Sequence, residues 1–482
     1  MFLRLSSFKT AARIVSYRLA GPTEKLTRTG WDGMSRLTEP PPPLDGEIRF
    51  DGPARAAAAE DFGHLVHRSP EGVLLPASDE DVAAAVRWTA GQGRRFAAQG
   101  TRHSVFGRAQ VRDGIVADLR RLRTVDHVQH DRVVADAGAT WREVVATTLP
   151  QGLVPPVLTD YLDLSVAGTL VAGGVGSRTW RFGAQSDNVL DLQVVTGRGE
   201  KLTCSPNRNR RLFDTVRAGL GQVGVITRAT LRLVPAPQQV RRFLLFYPDL
   251  TTMLADQRLL VHEHRFDGVQ GAAVPAPTGG WMFRLDVAKE FSGNGPADAA
   301  LLAGLSDDRP RAQPSTLPYL DYLTRFTALE QALRSSGQWW LPHPWLTTFV
   351  GDSTVEPVVT GELAELTPAD LGPVGQVVVS PVLRESVESP LLPLPPDPLC
   401  YTFNLFRFPA TDDAAEARRL VKANRAVYDR VRGAGGTLYP VSAAPMSRAD
   451  WRTHFGAAFR QLSDAKHEHD PGHVLTPGYE VF

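Results

Sequence analysis

The chain has 482 residues, 43% of them apolar and 22% charged, and a formal net charge of +1. That composition belongs to a globular protein of two or three domains and excludes a fibrous or disordered one. A charge so near zero gives no footing for nucleic acid or an anionic membrane as partner.

Cys204 and Cys400 are too few for a disulfide framework and read as buried, unpaired thiols, with one bridge between them left open. Met1 to Ala20 carries Arg4, Lys9, Arg13 and Arg18 among apolar residues, so it lacks a signal-peptide core and reads as an amphipathic helix or an arm. No run approaches the ~20 apolar residues that cross a bilayer, so a cytoplasmic location is expected. Pro40 to Pro43 form an extended linker, and folded structure is expected from about Leu44.

Glu71 to Pro76 reads as a strand. Ser78 then caps a helix through about Thr89, with Asp79, Glu80 and Asp81 in the first turn where the helix dipole favours acids. Arg95 to Gln99, Ile115 to Leu119 and Arg132 to Ala137 follow as strands, and Thr140 caps a helix from Trp141. Asn188 to Thr196 and Lys201 to Ser205 pair as a hairpin across Gly197-Arg198-Gly199-Glu200. Leu212 to Ala218 is helical and Val223 to Val234 is a long β segment. Pro235-Ala236-Pro237 marks a boundary, since proline cannot extend a central strand. A second domain is placed from about Gln238, with helices around Met253 to Glu263, Tyr319 to Ser336 and Ala414 to Arg432, and strands near Gln376 to Pro381 and Cys400 to Phe406. Trp451 to Phe482 is expected to pack back on the first domain.

Residues 219–224 spell Gly-Leu-Gly-Gln-Val-Gly. A dinucleotide fingerprint needs a strand before the glycines and a helix after them, and here the order is reversed. These glycines read instead as allowing close backbone approach to a ligand or a neighbouring strand. A second cluster, Ala167-Gly168-Thr169-Leu170-Val171-Ala172-Gly173-Gly174-Val175-Gly176, is either a flexible loop or a nest of backbone N–H groups around a diphosphate. Just before it lies Thr159-Asp160-Tyr161-Leu162, where the aspartate alone would pass for a turn residue or a helix cap. Gly100-Thr101-Arg102-His103-Ser104 follows a strand and adds an imidazole and a hydroxyl. Asp61-Phe62-Gly63 imitates a kinase motif without its companions. The groups His262-Glu263-His264 and His467-Glu468-His469-Asp470 fall on helix, where side chains two apart diverge, so no metal site is expected.

These elements in this order, with GLGQVGVITRATLRLVPAP, His343-Pro344-Trp345-Leu346, Asp450-Trp451, His454-Phe455-Gly456-Ala457-Ala458 and Asp470-Pro471 to Gly478, closely resemble cytokinin dehydrogenases. Those belong to the vanillyl-alcohol-oxidase (PCMH-type) FAD family. The resemblance implies an α+β fold with a two-subdomain FAD-binding domain and a substrate (cap) domain whose antiparallel sheet is flanked by helices. The expected division is an arm and linker at 1–43, FAD-binding residues 44–237, a cap at 238–440 and a returning segment at 441–482.

By the same matching His103 would bond to the flavin 8α carbon, a single histidyl link that prevents cofactor loss and makes the flavin a stronger oxidant. Asp160 would take the proton from an N–H or O–H as hydride leaves the adjoining carbon. Leu158, Tyr161 and Leu162 are expected to give it apolar surroundings that raise a carboxylate pKa. Around the pyrophosphate and isoalloxazine the matching puts Gly100, Thr101, Ser104, Ser165, Gly168, Val171, Val175, Gly221 and Ile226, with Tyr439, Thr476 and Tyr479 from the C-terminal part. Trp345 would line the substrate pocket.

The departures concern the substrate more than the redox chemistry. Arg102 replaces a glycine and Arg108 a glutamine, which puts two extra cations in reach of the diphosphate. Gln270 stands in place of a glutamate that helps bind adenine, and a neutral amide gives no charge-assisted bond to an N–H. Thr347 replaces an asparagine, and Tyr479 stands where a glutamine contacts FAD. The expected function is therefore FAD-dependent oxidation of a C–H beside an N–H or O–H, with a cytokinin-like substrate and O2 or another electron acceptor, in a monomer or homodimer. A tailoring oxidase acting on a secondary alcohol or amine of a bacterial natural product is the alternative. A non-redox cyclase or binding protein with structural FAD is the alternative of another class.

Overall fold

Short strands alternating with capped helices build the first half of the chain. The computed structural model describes residues 39–482, and the amphipathic segment expected at Met1 to Ala20 lies outside them. Ser78 accepts from the Asp81 N–H and opens the helix Asp79–Gly91. The Asp81 carboxylate reaches back to accept from the N–H groups of Asp45 and Gly46 at 2.9 Å and of Ala77 at 2.8 Å, which ties the entering chain to the helix start. Thr140 and Glu143 form a reciprocal capping box for Trp141–Thr148.

Four strands, in the order Glu47–Arg49, Gly72–Leu75, Gly114–Asp118 and Arg95–Gln99, make a first sheet, parallel except at its first pair. Arg132–Asp136, Gly224–Arg232, Val189–Thr196 and Lys201–Cys204 make a second, antiparallel one. The helix Arg210–Val216 precedes the 219–224 glycines and a strand follows them, the inverse of a dinucleotide fingerprint. Cys204 and Cys400 are buried free thiols.

The C-terminal residues return to this half through one buried ion pair. On the helix Ala458–His469, Lys466 donates to the Asp470 carboxylate and to the Gln222 carbonyl, both at 2.7 Å, and both charged side chains are almost fully enclosed. Asp470 also accepts from the N–H groups of Val474 and Leu475. Thr476 N–H then donates to the Phe96 carbonyl at 2.8 Å.

The rest of the chain forms one eight-stranded antiparallel sheet. Its order is Gln313–Pro318, Gln239–Tyr247, Trp281–Phe291, Gly268–Pro275, Gln376–Leu383, Leu399–Phe406, Leu346–Gly351 and Thr437–Leu438. Alternation splits it into two unlike faces. One face carries Val269, Leu285, Val287, Val379, Phe403 and Thr348 and packs under helices; a Cβ on Gly271 would lie 2.4 Å from Gln257 of the helix Leu250–His262. The register gives the other face Gln270, Asp286, Arg284, Thr402, Asn404 and Thr347. The single helix expected from Tyr319 to Ser336 is two, Tyr319–Leu323 and Thr327–Ser335, with a break that carries Arg325. Three strands of this sheet give no clear period in the sequence: Gly268–Pro275 and Gln313–Pro318 are interrupted by glycine or proline, and Leu346–Gly351 is buried on both faces.

Breaking an enclosed ion pair from one side leaves an uncompensated charge, which costs ~3–5 kcal/mol. Asp470→Ala is therefore expected to lower the melting temperature sharply, whereas Lys466→Met with Asp470→Asn in the same chain restores much of the loss. Thermal denaturation of the three proteins checks it.

Candidate active site

The loop after strand Arg95–Gln99 is clamped from outside by Asp61-Phe62-Gly63. The Asp61 carboxylate accepts from Gly107 N–H at 2.7 Å, Ser104 Oγ at 2.9 Å and Gly63 N–H at 3.1 Å. Phe62 and Gly63 N–H groups donate to the carbonyls of Arg102 and Ser104. The Phe62 ring is stacked between two imidazoles, with centroids 4.1 Å from His103 and 4.0 Å from His343. Trp339, Trp345 and Tyr161 complete an aromatic wall, Tyr161 lying 4.9 Å from the His103 ring. Burial pushes His103 down to about 4, so its imidazole is neutral at physiological pH and a ring nitrogen keeps its lone pair. His343, pushed down to about 3 by burial, donates its Nδ1–H to the Phe62 carbonyl.

A second group of residues meets where the glycine loops converge. A Cβ on Gly100 would lie 1.8 Å from Ser165 Oγ, so only glycine lets these two loops touch, and Ser165 N–H donates to Thr101 Oγ1. Ser165 precedes the short helix Val166–Leu170, which contains Gly168. Leu220 N–H donates to the Val171 carbonyl, and Thr476 Oγ1 to the Gly221 carbonyl at 2.9 Å. Gly174 N–H donates to the Tyr439 hydroxyl at 3.0 Å, placing Val175 beside that ring, and Ile226 is buried in the strand that follows the 219–224 glycines. Gln185 Oε1 and Arg108 Nε are buried without protein partners. Buried polar atoms of this kind beside glycine-lined backbone fit a large ligand with a diphosphate and heteroaromatic rings.

The two arginines of the His103 loop spend donors on the protein. Arg102, at φ 60°, pairs with Asp118 at 3.3 Å and donates to the Ala57 carbonyl. Arg108 donates to the Ala444 carbonyl and lies over the rings of Phe106, Trp451 and Tyr479; burial pushes it down to about 10.

Asp160 stands beside Tyr161 in the aromatic wall, and its surroundings differ from the apolar ones expected. Arg325 donates to Oδ1 at 2.5 Å and Gln270 donates its amide N–H to Oδ2 at 3.0 Å. Leu158 and Leu162 are buried, but the carboxylate itself turns toward the eight-stranded sheet. Sequence separation explains the difference, since Gln270 and Arg325 are 110 and 165 residues away. Trp345 donates its indole N–H to the Arg407 carbonyl. Thr347 is tied to Ser442 through the backbone, and the register sets it opposite Asn404, so an asparagine side chain does share its face. The fold thus gathers His103, Tyr161 and Trp345 along one aromatic wall, joins Gln270 to the Asp160 carboxylate, and gathers Gly100, Ser165, Val171, Gly221 and Thr476 at the converging loops.

Asp61, Phe62, His343, Trp339 and Arg325 had no role assigned from the sequence. Asp61-Phe62-Gly63 was visible as a motif, but its meaning depends on a loop forty residues on. Arg325 carries no local signal at all. A shallow depression of about 660 Å³ between Val274, Arg284 and Gly375 touches none of these residues. Among the described residues no three His, Cys, Asp or Glu side chains converge as a metal site.

The fold is that of the vanillyl-alcohol-oxidase-type flavoproteins. A 6-hydroxy-D-nicotine oxidase structure from Arthrobacter nicotinovorans superposes with a TM-score of 0.70 at 20% identity, covering 91% of this chain and 98% of that one. A VAO-type flavoprotein from Myceliophthora thermophila C1 gives 0.70 at 19% identity, covering 85% and 79%. The profile "FAD binding domain" matches residues 70–205, and "Cytokinin dehydrogenase 1, FAD and cytokinin binding" matches 297–482. An oxidoreductase from the fasciation locus of Rhodococcoides fascians, named as uncharacterised, is 39% identical over 91% of this chain and 99% of its own length. Cytokinin dehydrogenase 10 of Oryza sativa subsp. japonica is 34% identical over 90% and 88%. The chain belongs to the cytokinin dehydrogenase-like FAD-linked oxidoreductases, and it is an FAD-dependent enzyme of the oxidase and dehydrogenase class.

Burial raises Asp61 to about 6, above its unfolded value. The native state therefore binds its proton more tightly than the unfolded chain does. The stability it contributes is full below about pH 4 and lost as pH rises through about 6, a swing of roughly 3 kcal/mol. Thermal melts from pH 4 to 8 should show wild type losing ground to Asp61→Asn over that interval and no further above pH 7. Asp61→Ala, which strands the Gly107 N–H and the Ser104 hydroxyl, should also lower flavin content, read as the 450 to 280 nm absorbance ratio.

Proposed function

We propose that this enzyme oxidises a C–H bond next to an N–H, with Asp160 as proton acceptor, His103 as the covalent attachment point of FAD, and a cytokinin-like N6-alkylated purine as substrate. The observation that supports it is that Asp160 adjoins Tyr161 in the chain, whose ring lies 4.9 Å from His103, while its carboxylate is held by donors from two other elements. FAD, when bound, supplies the two-electron acceptor that takes the hydride.

The chain's own residues supply the rest. The neutral His103 imidazole has the lone pair that bond formation at the flavin 8α carbon requires. Gly100, Thr101, Ser104, Ser165, Gly168, Val171, Val175, Gly221 and Ile226 hold the cofactor through backbone and small side chains, with Tyr439, Thr476 and Tyr479 closing over it and Arg102 and Arg108 adding positive charge nearby. We assign residues 44–237 and 441–482 to the cofactor and 238–440 to the substrate. Trp345, Gln270 and Thr347 face the substrate. Electrons leave to O2 or another acceptor, and the enzyme works as a monomer or homodimer in the cytoplasm. The cytokinin assignment draws on the names of the rice relatives and on the profile over residues 297–482. The engagement of Gln270 by Asp160 favours a second substrate class, secondary alcohols or amines of bacterial natural products, because an amide already bound to the base is less free to read a purine.

Stopped-flow mixing with isopentenyladenine, then with a panel of alcohols and amines, should bleach the flavin with one of them. Asp160→Asn should slow that reduction by ~10²–10⁴-fold with FAD still bound, and an unchanged rate removes the base. Acid precipitation of wild type should leave the yellow colour in the pellet and that of His103→Ala should not; a colourless wild-type pellet refutes the link.

A further inference from the structure

Arg325 occupies the three-residue break between helices Tyr319–Leu323 and Thr327–Ser335. Its side chain is 11% exposed, against 30% for Asp160, so the cation is the more deeply enclosed partner. The guanidinium lies between the Tyr322 and Phe326 rings at 4.4 and 4.7 Å, and Nη1 donates to the Tyr322 carbonyl at 3.0 Å. Nη2 donates to Asp160 Oδ1 while Gln270 donates to Oδ2. A carboxylate only accepts, so the Gln270 amide nitrogen must face it and the amide oxygen turns away. Two donors from two separate elements, one to each oxygen, fix the carboxylate plane, and each oxygen keeps a lone pair for substrate.

If Asp160 accepts the substrate proton, as proposed above, we propose that Arg325 is its positioning residue and holds the carboxylate plane toward the substrate N–H. As the substrate C–H bond breaks, FAD, when bound, would supply the acceptor for its hydride. The nitrogen lone pair forms the C=N bond, and the N–H proton passes to Asp160, whose charge is then neutralised. The proton then passes onward to water, which restores the carboxylate that the enclosed guanidinium pairs with.

Other charges face this pair. Asp286, paired with Arg242, and the Tyr322 hydroxyl act on Arg325. Behind Asp160 and Arg325 a cavity of about 20 Å³, room for one water, is also lined by Tyr319, Ser177, Arg178 and Glu290. Glu290 stands 3.5 Å from Arg178 and is pushed up to about 7 by burial, so it titrates in the working range and needs its own control.

The test is the reductive half-reaction of the holoenzyme, with whichever of isopentenyladenine and the donor panel reduces wild type. Arg325→Met leaves the carboxylate plane held from one side only, so the limiting rate of flavin reduction should fall ~10-fold or more while the half-saturating donor concentration stays within ~2-fold. Arg325→Lys, which keeps a charged donor, should recover part of that rate, and Glu290→Gln should leave it as in wild type. An unchanged limiting rate in Arg325→Met overturns the role of Arg325 alone. Reduction of wild type by no donor removes Asp160 as proton acceptor, and this role with it. Should Arg325→Met fail to accumulate, Arg325→Gln lacks the charged donor and carries the same expectation. In thermal melts Asp160→Asn should lower the transition by roughly 3–5 °C, and adding Arg325→Gln should recover most of it. Additive losses would overturn the pairing.

Discussion

A strand points its side chains alternately to two sides, and a sheet that buries one face under helices must turn the other elsewhere. The eight-stranded sheet obeys this constraint along its whole width, and the site depends on it. Val269 and Gly271 face the helix Leu250–His262, so Gln270 between them faces away from it and meets Asp160. Shifting that strand by one residue would bury the amide under the helix and present a valine to the carboxylate. The polarity of this face is thus a by-product of where the apolar residues had to go.

Enclosed charge imposes a second constraint. Arg325 and Lys466 are each surrounded by protein, and each has a carboxylate partner from a distant part of the chain or the next helical turn. Neither pair is best understood as adding stability, since a well-packed apolar pair would serve at least as well. What an ion pair adds is geometry. Lys466 and Asp470 seat the tail so that Thr476 reaches both Phe96 and Gly221, and Arg325 orients Asp160.

Legibility of the sequence followed the range of the forces involved. Helix caps are local, and Ser78 and Thr140 sit where they were expected. Short strands bounded by glycine, such as Arg95–Gln99 between Gly93 and Gly100, also declare themselves. Gln239–Tyr247 and Trp281–Phe291 do not, because they mix arginines and acids that pair across strands with apolar residues on both sides. Nothing in residues 324–326 forbids helix, yet the helical stretch around Tyr319 to Ser336 breaks there into two. Asp61-Phe62-Gly63 is legible as a motif but not in its role, since it acts on residues 102–107 and no local pattern encodes that contact.

By itself the sequence determined the membership of this chain in an FAD-linked oxidoreductase family and the identity of the residues that stand out within it, because those are properties of ordered motifs. It also determined the inverted helix-glycine-strand order that excludes a dinucleotide fingerprint at residues 219–224. Only the tertiary structure decided what Asp160 touches. Its expected apolar surroundings were an inference from neighbours in the chain, but a carboxylate's environment is set by neighbours in space, and two of its decisive ones lie more than a hundred residues away.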